Sequence, residues 1–204
     1  MSLTPKILPL LIDSITTSIE QNAEEVTTLD QVLGDGDHVT NLQRGLDGLN
    51  QQASEIAKLE WPAAIQKIGM ILLSTMGGAS GSLFGTLFIS MSKAMAGKTE
   101  LSQQQFAEVF MQGVEAVKKR GKADAGEKTM LDTLIPVAEK MLEGVELNDI
   151  CQIAIAGMES TENMKATKGR ASYLEEKSIG HIDAGARTSQ LMICAILDVL
   201  NSEK

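Results

Sequence analysis

Apolar residues return at three-and-four spacing along almost the whole chain, and that repeat restricts it to packed amphipathic helices. Thr4 and Pro5 stand as a candidate N-cap and first helical residue, and Leu8, Leu11, Ile12, Ile15 and Ile19 then share one face. A second helix over roughly 40–57 carries Leu42, Leu46, Leu49, Ala53 and Ile56. A third starts near Pro62 and runs through Ile65, Ile68, Leu72 and Leu73. The fourth, about 81–96 (SLFGTLFISMSKAMA), is small and apolar all round and is expected to be deeply buried. Ser102 with Gln105 makes a capping box for the fifth, stapled by Leu101 and Phe106. Further helices fall at about 127–143 (with Pro136 as a kink), 147–164 and 185–202. Aromatic residues are only 3% of the chain, and the apolar content of Ala, Leu, Ile and Met favours helix over strand. Most connections are short, so the expectation is all-α: one domain over 1–204, about eight antiparallel helices in a bundle or closed barrel.

A chain of 204 residues is long enough for one well-buried domain and short for two. Its 18 basic and 27 acidic residues leave a net charge of −9, which argues against a nucleic-acid binder or a protein drawn to anionic lipid. No window approaches the ~18 uninterrupted apolar residues of a membrane span. The opening MSLTPKILPLLIDS is interrupted by Pro9 and Asp13 and has no cleavage site, so a cytoplasmic location is expected. Cys151 and Cys194 lie in apolar helical stretches and read as small core residues, with neither a disulfide framework nor a zinc site.

Function is expected where the connections are not short. Residues 27–40 (TTLDQVLGDGDHVT) read as a loop in which Asp30, Asp35 and Asp37 crowd three anions together. Such a group is unfavourable unless a cation neutralises it, and hard oxygen donors suit Mg²⁺ or Ca²⁺. An EF-hand does not fit, because the sixth position counted from Asp35 is Thr40 rather than Gly. A solvated acidic turn capping the next helix is the plainer reading of the same residues. Gly77-Gly78-Ala79-Ser80-Gly81 precedes a helix, where small residues let backbone N–H groups approach an anion; tight helix packing explains it equally well. Residues 163–184 form a loop of about 20 residues, more than a compact bundle needs. It carries Arg170, a candidate phosphate partner, and His181, which is a base, a ligand or a hydrogen-bonded loop residue. A magnesium–nucleotide site is the economical union of acidic cluster, anion cradle and covering loop.

Four stretches in order along the chain carry a resemblance: LDQVLGDGDHVTNLQRG (29–45), GGASGSLFGT (77–86), RGKADAGEKTMLDT (120–133) and KGRASYLEEKSIGHIDAGA (168–186). Together they resemble the nucleotide-binding L-subunit family of the bacterial dihydroxyacetone kinases. The resemblance implies an eight-helix antiparallel barrel with ADP and two Mg²⁺ ions bound in loops at one end. It implies that Asp30, Asp35 and Asp37 hold the metals, and that His38, Thr40, Asn41, Ala79 and Ser80 contact the nucleotide phosphates. Gly121 and Met130 would line the adenine pocket, and Arg170 with the Asp183-Ala184-Gly185 turn would close over the nucleotide. Two positions depart from the family pattern. Val39 replaces a glycine after the histidine, which matters if that residue needs a positive φ, and Ala184 replaces a proline.

The resemblance further implies that the phosphoryl group passes to dihydroxyacetone held on a separate K-type subunit. Bound ADP is then re-phosphorylated by an M-type phosphocarrier subunit of a phosphotransferase system. No catalytic residue separate from the metal and nucleotide site is assigned. Two rivals stay open: a kinase subunit for another small ketose using free ATP, and a non-catalytic nucleotide-binding regulator that docks on a transcriptional regulator.

Overall fold

The expectation of an all-helical chain holds. The computed structural model describes residues 4–98 and 100–202, and among them there are nine α-helices, three 3-10 segments and no strand. The helices are α1 (Leu8–Gln21), α2 (Ala23–Leu33), α3 (His38–Ile56), α4 (Trp61–Thr75), α5 (Gly78–Ala94), α6 (Gln103–Gly121), α7 (Leu131–Leu142), α8 (Leu147–Ser160) and α9 (Ala184–Ser202). The 3-10 segments are Pro5–Ile7, Thr161–Asn163 and Arg170–Ser178. α1 packs on α3, each helix from α3 to α8 packs on the next, and α9 packs back on α1. α2 lies outside this succession, against α3 and α9.

The apolar faces read from the periodicity are largely the faces that meet, except that Leu73, read into the face of α4, is 50% exposed. Ile19, Val26, Leu42, Ile56, Val114, Val117 and Leu131 are fully or almost fully buried in one main core. Removing each such aliphatic side chain from water contributes about 1.5–3 kcal/mol. A second cluster of Ala107, Val137, Met141, Ile150, Ala154 and Leu197 fills the space between α6, α7, α8 and α9. Ser102 and Gln105 form the capping box at the start of α6. Leu101 packs toward the core, whereas Phe106 stays 41% exposed. Thr4 stands before the first 3-10 turn without capping it through its side chain.

Two expectations need correction. Residues 27–33 are not loop: they form the end of α2, which raises the helix number from about eight to nine. Nothing in TTLDQVL breaks a helix, and only at Gly34 does the chain leave it, so the acidic loop shrinks to Gly34–Asp37. The cysteines are likewise not two separate core thiols. Cys151 on α8 and Cys194 on α9 are joined in a disulfide, half-buried, with Cα atoms 5.0 Å apart. Their 43-residue separation gave no hint of pairing, because the adjacency of α8 and α9 is a property of the fold.

A cross-link over that separation stabilises the chain by about 4 kcal/mol in the loop-entropy treatment. Non-reducing peptide mapping should therefore recover a Cys151–Cys194 peptide, and dithiothreitol should lower the denaturant midpoint. An unchanged midpoint, or two alkylatable thiols in the untreated protein, would contradict the pairing.

Candidate functional site

The site forms where the N-termini of α3, α5 and α9 meet. The backbone N–H groups of a helix's first turn lack intrahelical partners and carry its positive dipole end, so this convergence favours an anion. α3 begins at His38, with Asp37 in the N-cap position. α5 begins at Gly78 after Gly77. The His38 imidazole ties the three together: Nδ1 lies 3.0 Å from the Ser80 hydroxyl on α5 and Nε2 lies 3.0 Å from the Thr188 hydroxyl on α9. A neutral imidazole has one N–H and one lone pair, so one hydroxyl accepts from it and the other donates to it. Burial pushes the His38 pKa down, against the upward pull of Asp30 and Asp37, which favours that neutral form.

Asp30, Asp35 and Asp37 come together as the charge argument requires. Each offers a carboxylate oxygen, and the three lie within 4.8 Å of one another. Asp30 reaches the cluster from the last turns of α2, and its Oδ2 accepts a hydrogen bond from the His38 backbone N–H at 3.0 Å. The turn between α2 and α3 is possible because Gly36 adopts φ +75°, a conformation that side chains disfavour. Two like charges at about 4 Å repel by about 1 kcal/mol in bulk water, and by more where water is displaced. These hard oxygen donors fit a divalent cation such as Mg²⁺, and a thiolate-preferring metal finds no sulfur here. Arg170 supplies one positive charge: its Nη2 lies 2.9 Å from Asp35 Oδ2.

The Gly77-Gly78 corner presses against α3. A Cβ on Gly77 would stand 2.3 Å from Asn41 Oδ1, so the corner's closeness to the 4%-exposed Asn41 requires glycine. Thr40, in the first turn of α3, is exposed beside them. Val39, the first departure from the resemblance, sits on a helical backbone 6% exposed in the core, so no positive φ is asked of it. Ala184 opens α9 and is buried, and Gly185 packs against Met130 at the start of α7. Gly121 closes α6, with only Leu83 and Ala123 among the described residues within 4 Å of where its Cβ would stand. His181 contributes a backbone carbonyl, which accepts from Lys128 Nζ.

Residues 161–183 form a strap across this end. Arg170–Ser178 is 3-10 with a kink at Glu175, and Ala166, Ala171 and Leu174 pack on Leu33 of α2 as a small core of their own. Three neighbours of the site escaped the sequence reading. Thr188, fully buried, holds His38; Asp132 accepts from the Gly126 and Thr129 backbone N–H groups at 2.5 and 2.8 Å; Lys128 is buried beneath the strap. Thr188 and Asp132 look like ordinary helix residues in sequence, and Lys128 like a solvated one.

A model of the DAK2 domain matches residues 32–198. The ADP-binding DhaL subunit of a PEP-dependent dihydroxyacetone kinase from Listeria innocua is 41% identical over 179 residues, covering 88% of this chain and 88% of that one. The corresponding Escherichia coli subunit is 38% identical, covering 84% and 85%. Mouse triokinase/FMN cyclase is 32% identical across 98% of this chain but only 36% of its own length. Among solved structures, the dihydroxyacetone kinase from C. freundii in complex with AMP-PNP and Mg²⁺ superposes with a TM-score of 0.77. At 22% identity that match bears on the fold alone; it covers 97% of this chain, which spans about a third (34%) of the kinase.

Asp183 makes the site's end pH-sensitive. Its Oδ2 accepts from the Ala186 N–H at 2.8 Å, capping α9, while desolvation, reinforced by Asp132, pushes its pKa up to about 6 against the pull of Lys128. A carboxyl whose folded pKa exceeds its unfolded one contributes stability at low pH that is lost as pH rises from about 4 to 6. Asp183→Asn keeps a capping oxygen and removes the charge. Thermal melts across that window should show a smaller decline for the variant than for the wild type, and parallel curves would refute the assignment.

Proposed function

The chain belongs to the DAK2-domain family, and we propose that it is the nucleotide-binding subunit of a dihydroxyacetone kinase of the phosphotransferase-system type. The observation that carries this reading is the meeting of Asp30, Asp35 and Asp37 with the first turns of α3 and α5, at the His38–Ser80 contact. A triple carboxylate facing two helix N-termini is suited to a phosphate chain and its counter-ions at once. The relatives 37–41% identical to this chain bear ADP-binding names, which supports ADP as the resident nucleotide here.

Asp30, Asp35 and Asp37 would hold two Mg²⁺ ions, which when bound supply charge neutralisation between phosphate oxygens. The chain's own residues do the positioning. His38, Thr40 and Asn41 at the start of α3, with Ala79 and Ser80 at the start of α5, present N–H and hydroxyl donors to the phosphates. The open side of Gly121 and the apolar Met130 would receive the adenine. Arg170 is within reach of the acidic cluster and would turn from Asp35 to the phosphates, while the Asp183-Ala184-Gly185 turn closes the far side. Phosphoryl transfer needs alignment and electrostatic stabilisation more than a covalent group from the protein, so none is assigned. The acceptor would be dihydroxyacetone on a K-type subunit and the donor an M-type phosphocarrier, in the cytoplasm. Among the described residues no helix is long and apolar enough to cross a membrane.

Mass spectrometry of nucleotide released by denaturing the purified protein, before and after EDTA, tests this directly. Retained ADP that leaves only on chelation is the expected result, and Asp35→Asn should weaken Mg²⁺-dependent ADP binding at least about tenfold, in line with loss of a charged contact. A protein that binds no nucleotide with Mg²⁺ present would overturn the reading.

A further inference from the structure

The strap that crosses the site is held at both of its roots by one side chain. Lys128 is 1% exposed, the largest fully buried side chain among the described residues. Its Nζ donates to the Thr161 carbonyl at 2.5 Å and to the His181 carbonyl. Thr161 is where α8 gives way to the strap, and His181 lies two residues before Asp183, where the strap enters α9. The same roots are joined a second time, since the Asp183 N–H donates to Thr161 Oγ1 at 3.0 Å. The negative charges of Asp183, Glu162 and Asp132 favour the ammonium, against the larger cost of its burial.

The backbone bends to make this possible. Lys128 has φ +61°, a left-handed conformation unfavourable for a residue with a side chain. Glu127, just before it, is also tied to the strap: its carbonyl accepts from the Thr167 N–H at 3.4 Å, and its Oε1 from the Thr167 hydroxyl at 3.2 Å. Outside its roots, the strap rests on the rest of the chain through the small Leu33 cluster, the exposed Arg170–Asp35 pair and Glu127, which also pairs with Lys168 at 3.6 Å. A lysine that only solvates a surface needs neither burial nor a strained backbone; one that fixes two distant carbonyls needs both.

From this geometry we infer that Lys128 is a positioning residue for the bound nucleotide: it clamps the two roots of the strap, so that Arg170 and the Asp183–Gly185 turn are held over the site and nucleotide release is slow. The inference rests on the reading of the site as a nucleotide site. Lys128 acts through the strap: its ammonium donates to the Thr161 and His181 carbonyls and to none of Asp30, Asp35 and Asp37.

Stopped-flow release of a fluorescent N-methylanthraniloyl-ADP, in Mg²⁺ and with excess ADP as chase, tests it. In the wild type, no binding of the probe would overturn the nucleotide reading and this inference together. Given wild-type binding, Lys128→Met should release the probe about tenfold faster or more, the effect of losing two charge-assisted hydrogen bonds. Hydrogen exchange should rise for amides 164–182 and stay unchanged in α5. Because Lys128 and Arg170 act through one strap, Lys128→Met combined with Arg170→Met should accelerate release by less than the product of the two single effects. Unchanged release, or multiplicative effects, would overturn the positioning role with the nucleotide reading intact. Should Lys128→Met fail to fold, Thr161→Val removes the second root link and takes its place. Release about threefold faster, again less than multiplicative with Arg170→Met, is expected, and wild-type release in Thr161→Val would overturn the inference.

Discussion

Three carboxylates held within 4.8 Å of one another repel, and much of the architecture at this end of the molecule is arranged around that fact. Asp30 is presented by a helix, Asp35 and Asp37 by a tight turn, and the turn is short because α2 continues to Leu33 before the chain reverses. The positive ends of α3 and α5 lie beside the cluster, and Arg170 supplies a full charge to Asp35. A site organised this way would gain stability from a bound cation, which would couple binding to local order. The same charges that disfavour the empty cluster favour the filled one.

The helical framework makes such a cluster tolerable. Packing of α1 on α3, of each helix from α3 to α8 on the next, and of α9 on α1 sets the N-termini of α3, α5 and α9 side by side. Ser80, His38 and Thr188 come from three different helices, and their hydrogen bonds fix the relative positions of those helices at the one point where a ligand would meet all of them. The strap is built on different terms. It has little core of its own and is pinned at its roots by the Lys128 ammonium and the Thr161–Asp183 hydrogen bond.

How much was legible beforehand differs by residue for physical reasons. The helices were readable because each must bury a stripe, and a stripe leaves a three-and-four repeat in the sequence. The acidic cluster was readable because like charges spaced by glycines are costly without a purpose. α2 was missed as a helix because Asp30 drew residues 27–40 into one acidic loop, although Val26, Leu29 and Leu33 keep the three-and-four spacing of a buried face. Thr188 and Lys128 left no trace, since a threonine on a helix and a lysine beside a glycine are ordinary until the fold brings a partner to them. The disulfide was invisible for the same reason: two cysteines 43 residues apart pair only if their helices are neighbours.

By itself, then, the sequence determined the all-helical class, the positions of most helices, the acidic, glycine-rich and strap segments, and through four motifs the family. Those features are local, set by periodicity, charge spacing and backbone freedom within a few residues. Tertiary structure alone decided that the N-termini of α3, α5 and α9 meet, that His38 bridges Ser80 and Thr188, that Cys151 bonds Cys194, and that Lys128 turns inward to hold the strap. Each of these joins residues far apart in sequence, and whether such groups meet depends on the helix packing as a whole.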